Sequence, residues 1–270
     1  MTERRSRGRP RAFHDTTRQN TIQSLDRACH ILAHISEAQG LTLSEVAARL
    51  DQSPATVYRV LSTFATHGMV ELDPAQQTWH VGAGAFRMGS AFLRRTNTLE
   101  RARPLMQRLV DLTGETANLG IRQDGKVLFL SQVETHQSIR AFFPPGTLSP
   151  LHASGIGKAL LSAMEDDAIR RLVREAGLEG FTPKTLTGTD RLLDDIARIR
   201  ERGYSVDDEE RTTGMRCVAA PIRNAAGDAV AGLSVSGPVS RISDAAVKAF
   251  GGHVVMAARD LSRAIGSAEA

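Results

Sequence analysis

Apolar positions over residues 21–81 fall into three helical stripes and then alternate. Ile22, Leu25, Cys29, Leu32 and Ile35 or Ser36 recur on one helical face, and Gly40 ends that segment. In LTLSEVAARL, Thr42 and Glu45 stand at capping-box spacing, with Val46, Ala47 and Leu50 as the inner face. Asp51-Gln52 leaves room only for a tight turn. Ser53 then reads as an N-cap and Pro54 as the first helical residue. Val57, Val60, Leu61 and Phe64 form the buried stripe of this third helix, and Gly68 closes it. MVELDPAQQTWHV reads as strand, Asp-Pro turn, strand. Three short helices and a hairpin make the pattern of a winged helix-turn-helix, whose third helix enters the major groove of DNA. Its outward residues near the N-terminus are Ser53, Ala55, Thr56, Tyr58 and Arg59, short polar groups with one guanidinium, suited to phosphates and base edges. A plain three-helix bundle with a solvated third helix is the competing reading.

GAGAFRMGSAFLRRTNTLERARPLMQRLVDLTG is helical almost throughout. Ala85, Met88, Ala91 and Phe92 make one stripe; Leu99, Leu105, Met106, Leu109 and Leu112 make another, with a break near Arg95–Thr98. The first part reads as a linker helix whose stripe pairs with a second copy of the chain. Beyond it, TANLGIRQ, KVLFLSQVE and SIRAFFP read as strands. GIGKALLSAM, EDDAIRRLVREAG and RLLDDIARIRERG read as helices, and YSVDDEE, RCVAAPIRN and AVAGLSVSG as strands again. A last helix carries Val247, Phe250, Val254, Ala258, Leu261 and Ile265 on one face. Strands, then helices, then strands indicate an α+β domain, not a doubly wound sheet.

Charge sharpens this division. The 270 residues carry a formal net charge of +4, with 34 Lys+Arg against 30 Asp+Glu. Residues 1–97 hold 12 basic and 8 acidic side chains, so residues 98–270 hold 22 of each and the excess lies wholly in the first third. That placement suits an anionic partner for one part of the chain. Much of it sits in RRSRGRPRAF, with Arg4, Arg5, Arg7, Arg9 and Arg11. No apolar run follows, so this is not a secretory signal, and no stretch is long and apolar enough to span a membrane. The arm reads as disordered when free. Arg7, Arg9 and Arg11 around Gly8 and Pro10 suit a narrow minor groove, as in an AT-hook, or serve as a sequence-blind phosphate tether. Two cysteines, Cys29 and Cys217, with no CxxC, give neither a disulfide framework nor a zinc site, and point to a reducing cytoplasm.

Three stretches of the second domain could carry chemistry. In LHASGIGKALL, a small-residue loop enters a helix at Ser154-Gly155-Ile156 and offers free N–H groups to an anion. It is not a Walker A loop, because Ala159 follows the lysine, nor a nucleophile elbow, because His152 replaces the first glycine. Taken alone, the stretch reads more simply as an ordinary glycine-rich helix start. In AVAGLSVSGPVSR, Ser234 and Ser236 share one strand face, opposite Leu233 and Val235. In YSVDDEE and GMRCVAAPI, Asp207 can accept a hydrogen bond and Cys217 reads as a small buried residue. Lys158 would serve an enzyme of 2-oxo acids as a Schiff-base amine, with Asp207 or His152 as proton carrier. It reads more simply as a surface or sheet-edge contact.

The winged helix, the linker helix and the motifs LHASGIGKALL, FTPKTL, GYSVDDEE, GMRCVAAPI and SVSGPVSR, in this order, resemble an IclR-type transcriptional regulator over about Thr21 to Ile265. The likeness is strongest to glyoxylate-sensing members, those of allantoin utilisation and of the β-hydroxyaspartate route. It implies a basic arm over 1–20, a winged helix-turn-helix over 21–83, a linker helix over 84–98 and a GAF-like effector domain over 99–268. It implies no enzyme and no cofactor. The partners would be a palindromic double-stranded DNA operator, a small acid such as glyoxylate, and further copies of the chain in a dimer or dimer of dimers. The effector carboxylate would lie on the N–H groups of Gly155 and Ile156, with Ser234, Ser236, Asp207 and Cys217 around the rest. Met215 and Ile156, where relatives can carry other apolar residues, bear on pocket size. With Cys217 and Ala219 they imply a small pocket.

Overall fold

The computed structural model describes residues 21–94 and 98–267. The arm with Arg7, Arg9 and Arg11, the residues 95–97 at the expected break, the side chain of Phe92 and residue 268 lie outside the described part. The chain divides into two compact units after Arg95.

The first unit runs α1 (Gln23–Ser36), β1 (Leu41–Thr42), α2 (Leu43–Arg49), α3 (Pro54–Thr66), β2 (Val70–Asp73), β3 (Thr78–Val81) and α4 (Ala83–Arg94). The local signals act as their chemistry dictates. Thr42 and Glu45 close a reciprocal capping box on α2. Ser53 accepts the Thr56 N–H ahead of Pro54 on α3. The strands pair antiparallel in the order β1-β3-β2, so the wing is a hairpin with a short third strand beside it. Ile31, Ile35, Val46, Val57, Leu61, Val70 and Trp79 make the core.

The stripe expected on α1 is buried only at its C-terminal end, where Ile35 is covered and Leu32 packs against the core. Ile22 and Leu25 are 67% and 59% exposed and Cys29 is exposed, whereas Ile31 and Ile35 are fully covered. Both sets obey helical spacing. The choice falls to tertiary packing: α2, α3 and β3 all lie against α1, and only its C-terminal half, at Ile31 and Ile35, is covered by them. On α4, Ala85 is half-buried, Met88 and Ala91 are exposed, and so is Phe86.

The second unit runs α5 (Thr98–Thr113), β4 (Thr116–Gln123), β5 (Lys126–Val133), β6 (Leu148–Pro150), α6 (Gly155–Leu161), α7 (Asp166–Ala176), α8 (Thr189–Arg202), β7 (Ser205–Asp208), β8 (Met215–Arg223), β9 (Ala229–Pro238) and α9 (Asp244–Ala264). Its six strands form one antiparallel sheet in the order β6-β5-β4-β9-β8-β7. Alternation along the central strands builds two cores. Leu119, Val218, Ala220, Leu233 and Val235 face α5 and α9. Ala219, Val127 and Phe129 face α6, α7 and α8. This is the α+β sheet-and-helix domain that the pattern implies.

One expected strand is absent. SIRAFFP forms no ladder, and the third strand is the short β6 after it. Pro144 and Pro145 have no N–H to give a ladder. The segment is held by side chains instead: Gln132 donates to the Ala141 carbonyl at 3.1 Å, and Phe143 stacks on Phe129 at 4.9 Å.

Candidate functional site

The residues expected to contact DNA lie along the start of α3. Ser53, Ala55, Tyr58 and Arg59 are exposed and Thr56 is half-buried. Ser53 is partly committed as a cap, its hydroxyl 2.9 Å from that of Thr56 and 3.2 Å from the Thr56 N–H. Tyr58 and Arg59 are left as the longest side chains that this face presents.

In the second unit the helix start and the serines come together. Ser154 caps α6, its Oγ accepting the Gly157 N–H at 3.0 Å. The glycines let the helix lie directly on the sheet. A Cβ on Gly155 would stand 2.6 Å from Cys217 Sγ, and one on Gly157 would run into the backbone of Leu151. The Ile156 side chain rests over two further glycines: a Cβ on Gly232 would stand 2.7 Å from Ile156 Cγ2, and one on Gly120 would stand 3.4 Å from its Cδ1. The glycine-rich text is thus a packing device, and it delivers Gly155 and Ile156 to the face that carries the serines.

Strand register fixes what else lies there. Cys217 pairs with Asp207 on one side and Ser236 on the other, and Ala219 pairs with Ser234. On the next strand Thr116 pairs with Ser236 and Asn118 with Ser234. Cross-strand partners share a face, so Thr116, Asn118, Asp207, Cys217, Ser234 and Ser236 form one polar patch beneath the α6 start. Ser234, Ser236, Thr116 and Asn118 are buried. Asn118 donates from Nδ2 to Ser236 Oγ at 3.3 Å. Thr116 Oγ1 and Asn118 Oδ1 complete no hydrogen bond, and Ser234 Oγ is met by nothing stronger than the Cys217 thiol beside it. Such poorly met polar atoms on one buried patch are costly unless something binds there.

Electrostatics point the same way. Burial raises the Asp207 carboxyl to about 6, against the pull of the Glu210 N–H, which donates to Asp207 Oδ1 at 2.8 Å, and of Lys158. Burial, with the Asp207 charge beside it, pushes the Cys217 thiol up to about 11. At neutral pH the thiol is protonated and acts as a weak donor rather than a nucleophile.

Lys158 is not the surface or sheet-edge contact expected of it. It is 1% exposed, and Nζ lies 2.7 Å from Asp195 Oδ2 and 2.5 Å from Glu210 Oε1. Burial raises the Glu210 carboxyl to about 7, with Lys158 holding it down. An ammonium clamped by two carboxylates is no Schiff-base amine, which needs a free amine. The sequence reading also missed Thr116 and Asn118. The signal was available in TANLG, where they stand two apart on a predicted strand.

A winged helix-turn-helix followed by an α+β unit with a buried polar patch defines a DNA-binding regulator class. The helix-turn-helix segment matches the "IclR helix-turn-helix domain" over residues 24–74, and the second unit matches "Bacterial transcriptional regulator IclR C-terminal" over residues 90–263. The chain belongs to the IclR family of bacterial transcriptional regulators. It is 56% identical over 261 residues to the HTH-type transcriptional regulator BhcR of Paracoccus denitrificans, covering 96% of this chain and 94% of that one. It is 37% identical over 267 residues to the HTH-type transcriptional repressor AllR of Escherichia coli K12, covering 98% of each. Among solved structures it is similar to Thermotoga maritima IclR, with a TM-score of 0.77 and 27% identity, over 91% of this chain and 100% of that one. These relatives are regulators, and this chain is one too, not an enzyme. Among the described residues no helix is long and apolar enough to cross a membrane.

Proposed function

We propose that this regulator senses a small 2-oxo acid, glyoxylate, and that the acid sets its operator affinity or transcriptional output in control of glyoxylate-related catabolic genes. The buried hydroxyl of Ser234, met by nothing stronger than the Cys217 thiol, carries the reading. It lies on the sheet face against which the start of α6 packs, where the first N–H groups, Gly155 and Ile156, have no partner within the helix. A carboxylate needs such donors. The other carbon of glyoxylate, as aldehyde or hydrate, needs the mixed donors and acceptors of Ser234, Ser236, Asp207 and Cys217. Small residues around the sulfur, Gly155 and Ala219, disfavour aromatic acids.

In this reading the protein works in the cytoplasm on a palindromic operator, as a homodimer or a homotetramer built as a dimer of dimers. The exposed Met88 and Ala91 of α4 support pairing with a second copy. The described residues suit a small-molecule effector and need no cofactor.

The test is binding of the full chain to the DNA upstream of its own gene, at stated salt, with and without glyoxylate. Glyoxylate should shift operator affinity by a coupling energy of about 1–3 kcal/mol, and operator should shift glyoxylate affinity by the same factor. Equal glyoxylate affinity with and without DNA would sink the coupling. A response to pyruvate or glycolate instead would keep the regulator and change its effector.

The DNA contacts have their own test. Arg59→Ala should weaken specific binding by about 1–3 kcal/mol if Arg59 reads a base edge. Deleting residues 1–13 should lower affinity for every sequence and flatten the salt dependence, since each phosphate contact adds to that slope. An unchanged slope after truncation would show that Arg7, Arg9 and Arg11 make no phosphate contact.

A further inference from the structure

We propose that Thr116 and Asn118 of β4 form a wall of the effector site that sequence motifs do not mark, and that through this wall the protein takes glyoxylate as its hydrate, the gem-diol, rather than as the aldehyde. The proposal rests on the reading of this patch as the effector site, and deepens it.

Asn118 is wholly buried and directly opposite Ser234. Its Nδ2 is spent on Ser236 Oγ, which leaves Oδ1 as an acceptor with no donor. Asp207, across from Cys217, is ionised above about pH 6 and is then an acceptor as well. Thr116 Oγ1, unpartnered, and Ser234 Oγ, beside the Cys217 thiol, are also buried and can each give and accept a hydrogen bond. The patch therefore holds one unmet acceptor, Asn118 Oδ1, and a carboxylate, Asp207, whose Oδ1 already accepts the Glu210 N–H and which can take a further O–H from the ligand. The donors for a ligand carboxylate come from elsewhere, the N–H groups of Gly155 and Ile156.

Ligand chemistry decides the rest. A free aldehyde or a ketone such as pyruvate has no donor at the second carbon. Glycolate has one hydroxyl there. Hydrated glyoxylate, the form that dominates in water, has two hydroxyls on that carbon and a carboxylate beside it. It alone meets both acceptors at once. Ligands without those hydroxyls would leave Asn118 Oδ1 buried and unpaired and Asp207 with only its backbone N–H donors, and a site with an unmet buried acceptor discriminates strongly. The order expected is glyoxylate, then glycolate, then pyruvate. No covalent bond to the protein is needed.

The experiment uses the full chain. Calorimetry measures glyoxylate, glycolate and pyruvate on the native protein, on Asn118→Leu and on Thr116→Val. Both replacements are near in shape; Thr116→Val removes only an unmet hydroxyl, and Asn118→Leu gives up the unmet Oδ1 together with the 3.3 Å bond to Ser236 Oγ, so operator binding should hold and melting temperature should change little. Glyoxylate affinity should fall roughly 100-fold for Asn118→Leu and about 10-fold for Thr116→Val. Should Asn118→Leu melt early, Thr116→Val carries the test. Carbon NMR of bound glyoxylate, labelled at the aldehyde carbon, should show a tetrahedral carbon whose signal survives Cys217→Ala. A trigonal bound carbon would overturn the proposal. So would a tetrahedral signal that vanishes with Cys217, which would mean a thiol adduct, or undiminished glyoxylate affinity in both β4 variants. No heat from glyoxylate on the native protein would instead overturn the effector reading itself, and this inference with it.

Discussion

Lys158→Met should destabilise the second unit by about 3–5 kcal/mol at pH 8, the usual cost of removing one partner from a buried ion pair. Lys158 is the largest fully buried side chain of the described core, and both its partners are buried beside it. Without the ammonium, Glu210 faces Asp207 at close range, and Asp195 keeps only Arg198 and Arg202 at 3.8 Å and 3.9 Å. Methionine fills much of the volume, so a lost cavity is not the cause of the effect.

The pH dependence tells this mechanism from simple repacking. The Glu210 carboxyl already sits at about 7 in the folded chain, above its ordinary 4.5, because burial outweighs the attraction of Lys158. A carboxyl raised on folding binds more protons in the native state than in the unfolded one. Its contribution to stability is therefore greatest below 4.5 and falls as pH rises towards 7. Removing Lys158 raises that carboxyl further, so the variant loses more than the native protein as pH rises. Urea unfolding at pH 8 and at pH 5.5 measures this. The gap between the two proteins should shrink at pH 5.5, where Glu210 is neutral. A gap equal at both pH values would mean that the carboxylates do not depend on Lys158.

That lysine also shows where sequence reading stops. Its partners lie 37 and 52 residues away, and nothing local in GIGKALL marks it as buried. Elements with local signals were legible: the capping box at Thr42, the Ser53-Pro54 start and the alternation of β8 and β9 each specify themselves through nearby atoms. The buried part of α1 was legible only at Ile35: Leu25-Cys29 and Ile31 both stand at helical spacing from their neighbours, and only tertiary contacts decide that Ile31 is covered. SIRAFFP failed for a related reason. Its apolar content suits a strand, but a strand exists only where a neighbour accepts its ladder. At the site, the serine pair and the small-residue helix start were visible as separate motifs. Their convergence came from register, which also added Thr116 and Asn118. The glycines of α6 illustrate the ambiguity: the same text serves an anion loop and a helix packed hard on a sheet, and here the packing is what the glycines permit.

Replacing both serines, Ser234→Ala with Ser236→Ala, should abolish the glyoxylate response while leaving operator binding intact. Each hydroxyl facing a charged ligand is worth about 1.5–3 kcal/mol, so losing both costs a factor of roughly 100 or more in affinity. The free protein should behave differently. Ser234 Oγ has only the weak contact with the Cys217 thiol to lose, and alanine removes a poorly met polar atom from a buried patch. Ser236 gives up the 3.3 Å contact from Asn118 and a weak contact with the Cys217 thiol. The melting temperature without ligand should thus stay close to that of the native protein, and the rise in melting temperature on adding glyoxylate should disappear, since stabilisation by a ligand follows its affinity. Thermal melts with and without glyoxylate, beside an operator-binding assay, separate the cases. Loss of operator binding together with early melting would mean that the serines hold the fold. A preserved glyoxylate shift would place the effector away from this face, and the poorly met atoms of β4 and β9 would then need another occupant.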